Sequence, residues 1–299
     1  MIWLAVVFAL ASAATVGFST SLQHRAAEHA PTSGQGVWAL MTHLVGRPWW
    51  LLGQALGFLA LVFHALALRN GPLALVQPLI ITGIVFAVLI RAALSWRLPP
   101  RQEMIAVLAV AGGLATFLIA SDPSEGDPAA QPGLLLAMTL ILAAVAGGVI
   151  ALGSRVADGH QRAFLLGIGA GLLFGLVAVC LKVSMHELAG GGVAAMATAW
   201  ATWAFVLLGL GGVATNQLAF ASARLSASMP ALNMVNVLVA TLFAYVAFEE
   251  SPRHTPLALA AQLVALTAVG AGLWRLAQSE DARRAADAGV DLPLDARNR

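Results

Sequence analysis

Nine uncharged runs dominate this chain: residues 1–24, 48–68, 70–90, 104–121, 128–154, 163–181, 188–223, 225–248 and 255–274. As a helix rising ~1.5 Å per residue, each is long enough to cross a hydrocarbon core of ~30 Å. A segment in lipid must satisfy its own backbone polar groups, so only helices and closed barrels cross. Barrel strands alternate apolar and polar residues over about ten positions. These runs are longer and apolar on every side. The expected fold is therefore an all-α integral membrane protein with nine transmembrane helices. Composition agrees, because only 10% of the 299 residues are charged, against about 25% in a soluble domain.

The same pattern excludes several classes of function. A net charge of +2 spread over loops leaves no basic face for nucleic acid. The single cysteine, Cys180, forbids an internal disulfide or a cysteine-based metal cluster. No Ser-His-Asp, His-Glu-x-x-His, Cys-x-x-Cys or phosphate-loop arrangement is present, so no enzyme, cofactor or metal site is expected. The first run precedes its basic residues, His24 and Arg25, which is not the order of a signal peptide.

Basic residues set the orientation. With nine crossings, one side of the membrane carries Arg25, Arg47, Arg91, Arg97, Arg101, Arg155, Arg162, Arg224 and the five tail arginines, 13 in all. The other side carries Arg69, Lys182 and Arg253. The positive-inside rule then puts the N-terminus outside and the C-terminus in the cytoplasm. The loop SDPSEGDPAAQP, with three acids and no base, falls outside. The expected location is the cell (inner or plasma) membrane. Segment 26–47 is too short to cross and is expected to lie at the interface or re-enter, anchored by Trp38, Trp49 and Trp50.

Two halves repeat at an offset of 158 residues. Ala9, Ala13 and Gly17 answer Gly167, Gly171 and Gly175, and Leu108, Gly112 and Ser121 answer Leu266, Gly270 and Ser279. Between these, LVQPL answers SMPAL with a small length change. Predicted helices one to four thus recur as six to nine, and the single crossing between them inverts the second half. The expected organisation is a first repeat at 1–121, an acidic outer loop with an intervening helix at 122–161, a second repeat at 162–277, and a disordered cytoplasmic tail at 278–299. Inverted repeats suit a transporter, because exchanging the conformations of the halves exchanges the side that is open.

Polar residues inside the runs mark candidate sites. His64, Gln77, Asn216, Gln217, Asn233 and Asn236 would be costly facing lipid, so they face the bundle, either as a substrate cavity or as interhelical hydrogen bonds. Pro78 and Pro230 free a carbonyl and are expected to bend their helices. Lys182, the only lysine, follows nineteen uncharged residues. It either snorkels to the outer interface, pairs with an acid, or faces a ligand as a gate. Glu187, Glu249 and Glu250 stand at the outer mouth, where they could collect cations.

The stretches ALALRNGPLALVQPLIITGIVFAVLI and NQLAFASARLSASMPALNMVNVLVATLFAYVAFEE resemble the paired proline helices of the drug/metabolite transporter superfamily (EamA-like). Glu249 or Glu250 stands where many members end the second of these helices with glutamate. The spelling around Gln77 and the long first loop most resemble the nine-helix NIPA-type branch, linked to magnesium. The resemblance implies a secondary transporter moving a small organic, amphipathic or lipid-linked solute by alternating access. The alternatives are magnesium or divalent-cation transport, or a non-transporting scaffold or subunit of a larger complex. The partners it implies are the bilayer, the solute, and a second copy or a larger membrane complex.

Overall fold

The computed structural model describes residues 2–28, 48–95, 98–121, 124, 126–222, 225–250, 253 and 255–287. The elements are all helices: α1 (Ile2–Glu28), α2 (Pro48–Asn70), α3 (Leu73–Ile80), α4 (Gly83–Ser95), α5 (Arg101–Ser121), α6 (Pro132–Arg155), α7 (Gly159–Thr198), α8 (Trp200–Ser222), α9 (Leu225–Val246) and α10 (Pro256–Asp287). Their starts follow local chemistry. Proline opens α2, α6 and α10, where its missing N–H costs nothing. Asp158 caps α7 by accepting from the Gln161 N–H at 2.8 Å. Inside the runs, hydroxyls such as Thr139, Ser184 and Thr215 donate to the carbonyl four residues back, which satisfies them without breaking the helix.

Eight helices among the described residues are long and apolar enough to cross a membrane, where the sequence predicts nine. That set counts α3 and α4 together as one span, Leu73–Ile90, and does not include α8. The run 70–90 is broken: α3 stops at Ile80, Ile81 and Thr82 form a turn, and α4 begins at Gly83. Pro78 lies two residues before that stop, and the Thr82 hydroxyl donates to Leu79 O at 2.6 Å, holding the turn closed. In contrast, α9 is continuous through Pro230, so the two prolines do not act alike. Gly192, with φ 72°, interrupts α7, a conformation that glycine adopts without penalty.

The tail is also corrected. Helix α10 continues to Asp287, so residues 278–287 are helical rather than disordered, consistent with their Ala- and Arg-rich spelling. The rest of the tail and residues 29–47 of the predicted interfacial segment lie outside the described residues.

The chain forms two compact units, residues 1–71 with 78–100, and residues 72–77 with 101–299. In the first unit, α1 packs on α2 and α4. Ala5, Ala9 and Ala13 are fully buried, and Ser12 and Ser19 donate to Ala60 O and Gly53 O of α2. Gly83 of α4 lies so close to Ala13 that a Cβ there would stand 3.1 Å from its carbonyl.

In the second unit, α6, α8 and α9 pack on α7. The glycine row of α7 receives α9: a Cβ on Gly171 would stand 2.6 Å from Leu232 O and 2.9 Å from Val235 Cβ. The pairing Gly171–Val235 answers Ala13–Gly83 of the first unit. Ala13 and Gly171 are 158 residues apart, Gly83 and Val235 are 152 apart, and the small partner has changed sides. Helix α5 packs on α10 rather than within the first unit. Gly113 fits between Ala265 and Val269, and Gly272 fits between Ala106 and Val110. As numbers rise on one helix they fall on the other, so the pair is antiparallel and its contacts are reciprocal.

Candidate functional site: a buried carboxylate at the end of α9

Helix α9 does not simply fray at its C-terminus. The Phe248 N–H turns back to Phe243 O at 3.0 Å and the Glu250 N–H to Ala244 O at 2.8 Å. Glu249 makes this possible by adopting φ 57°, the left-handed region, at a cost of roughly 1–2 kcal/mol for a residue with a Cβ. Its side chain is exposed and accepts from Gln131 Nε2 at 2.7 Å. The reversal sends the Glu250 side chain inward, where it is 1% exposed.

Three donors meet that carboxylate. The Leu73 N–H donates to Oε1 at 2.7 Å and the Ala74 N–H to Oε2 at 2.9 Å. These are the first two residues of α3, and α3 cannot satisfy them itself. Pro72 precedes them, and its carbonyl already accepts from Leu75 and Val76. Glu250 therefore caps a helix 177 residues away in sequence, with its charge at the positive end of the helix dipole. The third donor is Lys182, whose Nζ lies 3.4 Å from Oε1 with its side chain buried. A buried pair of this kind is held by its hydrogen bonds as much as by Coulomb attraction, because desolvation cancels much of the latter.

The acidic loop closes over the turn. The Asp127 N–H donates to Phe248 O at 2.9 Å. Gly126 lies against the same carbonyl, and a Cβ there would come within 2.6 Å of Glu250 Cγ. Asp127 fixes its own turn by accepting from the Ala129 N–H at 2.8 Å. The Arg253 N–H donates to Ser121 O at 2.8 Å. The loop before α6 is thus tied to the end of α9, and the loop before α10 to the end of α5.

The structure distributes the predicted residues unevenly. Lys182 and Glu250 are brought together, so the lysine is paired and buried rather than snorkelling. Glu187 and Glu249 lie outside this cluster. Gln77 is buried at the end of the 72–77 segment that also carries Leu73 and Ala74. Asn216, Asn233 and Asn236 lie on the two helices that flank α7. Asn233 is spent locally, since its Nδ2 donates to Met229 O at 2.9 Å. The Gln217 side chain lies outside the described residues. His64 belongs to α2 in the first unit, half-buried. Sequence reading missed the amides of Leu73 and Ala74 as partners of the carboxylate. The available signal was Gly71-Pro72 ahead of a helix with no capping side chain of its own. Among the described residues, no group of three His, Cys, Asp or Glu side chains could hold a metal ion.

The chain is 28% identical over 247 residues to an uncharacterised protein of Corynebacterium glutamicum, covering 83% of this chain and 85% of that protein. The similarity therefore runs nearly end to end. No protein-family model and no solved structure matches the chain.

Proposed function

We propose that the protein is a secondary transporter of the drug/metabolite type, with nine crossings, an outer N-terminus and a cytoplasmic C-terminus, moving a small polar or amphipathic solute by alternating access. One observation carries the reading. Helices α5 and α10 are counterparts in the sequence repeat, and they pack antiparallel with a glycine of each inserted between an i, i+4 pair of the other. Counterparts that run in opposite directions are what an inverted repeat requires, and exchange between inverted halves is the physical basis of alternating access. The recurrence of the Ala13–Gly83 contact as Gly171–Val235 supports the same reading.

The Glu250 cluster then acts as an outer latch. It is made of groups that can part: a carboxylate, an ammonium and two amides that water satisfies equally well once the site opens. In the closed state the carboxylate is occupied by three donors, which disfavours the magnesium alternative, since Mg²⁺ is usually held through one or two free carboxylates.

The test needs no known substrate. Gln77→Cys and Asn233→Cys, each in a Cys180→Ala background, are treated with a membrane-impermeant maleimide from either face of oriented vesicles. A transporter exposes both positions to water from one side or the other. A packed scaffold protects them, and protection of both positions from both sides sinks the proposal.

A further inference from the structure

The chain passes three times between its two compact units, at 71/72, 77/78 and 100/101. A proline stands at each passage: Pro72, Pro78 and Pro100. Pro72 and Pro100 directly precede the first residues of α3 and α5, where proline is ordinary. Pro78 lies inside α3. There it removes a backbone hydrogen bond and its ring crowds the carbonyl four residues back. That carbonyl belongs to Ala74, one of the two residues whose amides Glu250 accepts.

The bonding beyond Pro78 departs from an α-helix. The Thr82 N–H donates to Leu79 O at 3.1 Å and the Ile84 N–H to Ile81 O at 3.2 Å. An unbroken helix would send them to Pro78 O and Ile80 O, four residues back. Regular bonding resumes where the Phe86 N–H reaches Thr82 O at 3.0 Å. Ile81 and Thr82 are buried, so the break is not a solvent loop. Proline alone does not explain it, because α9 runs unbroken through Pro230.

Each side of the break has its own anchor. Residues 73–77 are buried, and their start is fixed by Glu250 through Leu73 and Ala74. Beyond the break, α4 packs on α1, with Gly83 close against Ala13. Two anchored helical pieces meet at a joint that has already given up its helical bonds. Turning there therefore costs less than bending an intact helix, and hinges are a few element-terminal residues of this kind.

We propose that Pro78–Thr82 is a hinge on which residues 73–77 turn relative to α4 when Glu250 releases Leu73 and Ala74. This rests on the latch reading of Glu250 and names what the latch holds in place. While the carboxylate is bonded, the start of α3 is pinned and the hinge is still. Once it lets go, motion concentrates at the joint and leaves α4 seated on α1.

Amide hydrogen exchange on the full chain in nanodiscs tests this without any solute, because exchange reports local opening. In the wild type, amides 79–84 are expected to exchange faster than 231–236, the matching stretch after Pro230 in the unbroken α9. Glu250→Gln is expected to speed exchange at 79–84 about fivefold, the net weight of one backbone hydrogen bond, with 87–95 of α4 unchanged. Pro78→Ala restores the missing N–H and is expected to slow exchange at 79–84 and to abolish the response to Glu250→Gln. A rise confined to 73–77 in Glu250→Gln would mean that α3 only frays at its start, and would overturn the hinge. No slowing at 79–84 in Pro78→Ala overturns it too, whatever Glu250→Gln does to the rest of the fold. The two proposals fail separately. Maleimide protection from both faces sinks transport and leaves the hinge standing, whereas flat exchange at 79–84 removes the hinge and leaves transport standing.

Discussion

Lys182 Nζ lies 3.4 Å from Glu250 Oε1, and both side chains are buried. The only lysine of the chain is thus paired with a carboxylate that also caps α3 through Leu73 and Ala74. One side chain joins the end of α9, the start of α3 and the middle of α7 at Lys182.

Removing that carboxylate takes an acceptor from a buried ammonium and from two backbone amides. Glu250→Ala is expected to destabilise the protein by about 3–5 kcal/mol, the range for breaking one side of a buried pair. Glu250→Gln keeps one acceptor and loses less. Lys182→Met combined with Glu250→Gln recovers part of the loss, since the buried charge is gone. Melting in detergent measures the series, and wild-type stability in Glu250→Ala would show that the cluster holds nothing together.

Two glycines give a contrasting pair. Gly126→Ala places a methyl against Phe248 O and Glu250, displacing the turn, and is expected to lower the melting temperature clearly. Gly112→Ala meets nothing within 4 Å and replaces a helical glycine, so it is expected to be neutral or to stabilise by roughly 0.5–1 kcal/mol. Equal effects of the two would contradict the packing described for the loop.

Much of the fold was legible because lipid imposes one rule on every crossing. Uncharged length located the helices, and the small-residue rows at Ala9–Gly17 and Gly167–Gly175 marked packing faces that the structure fills. The break at Ile81–Thr82 was not legible, because apolarity does not change across it and Pro78 alone resembles Pro230, where α9 continues. The partner of Lys182 was hidden by sequence distance. Depth suggested the headgroups, and only the left-handed turn at Glu249 sends the next carboxylate inward. Among the amides, spacing could not separate Asn233, spent on Met229 O, from Asn236, whose oxygen is unsatisfied.

Orientation follows from arginine counts and is directly testable. Reporter fusions near Asp127 are expected to report the outer side, and fusions after Gln278 the cytoplasm. A cytoplasmic signal near Asp127 would reverse the inversion assigned to the two halves.

The most direct test of the account is the effect of the latch on access to the core. Asn233→Cys in a Cys180→Ala background is labelled by an impermeant maleimide from the outer face, with and without Glu250→Gln. If Glu250 closes the outer end of a transport path, the outer labelling rate rises when the carboxylate is neutralised, and labelling from the cytoplasmic face falls in step. Unchanged rates on both faces, in a variant that remains folded, would contradict the account.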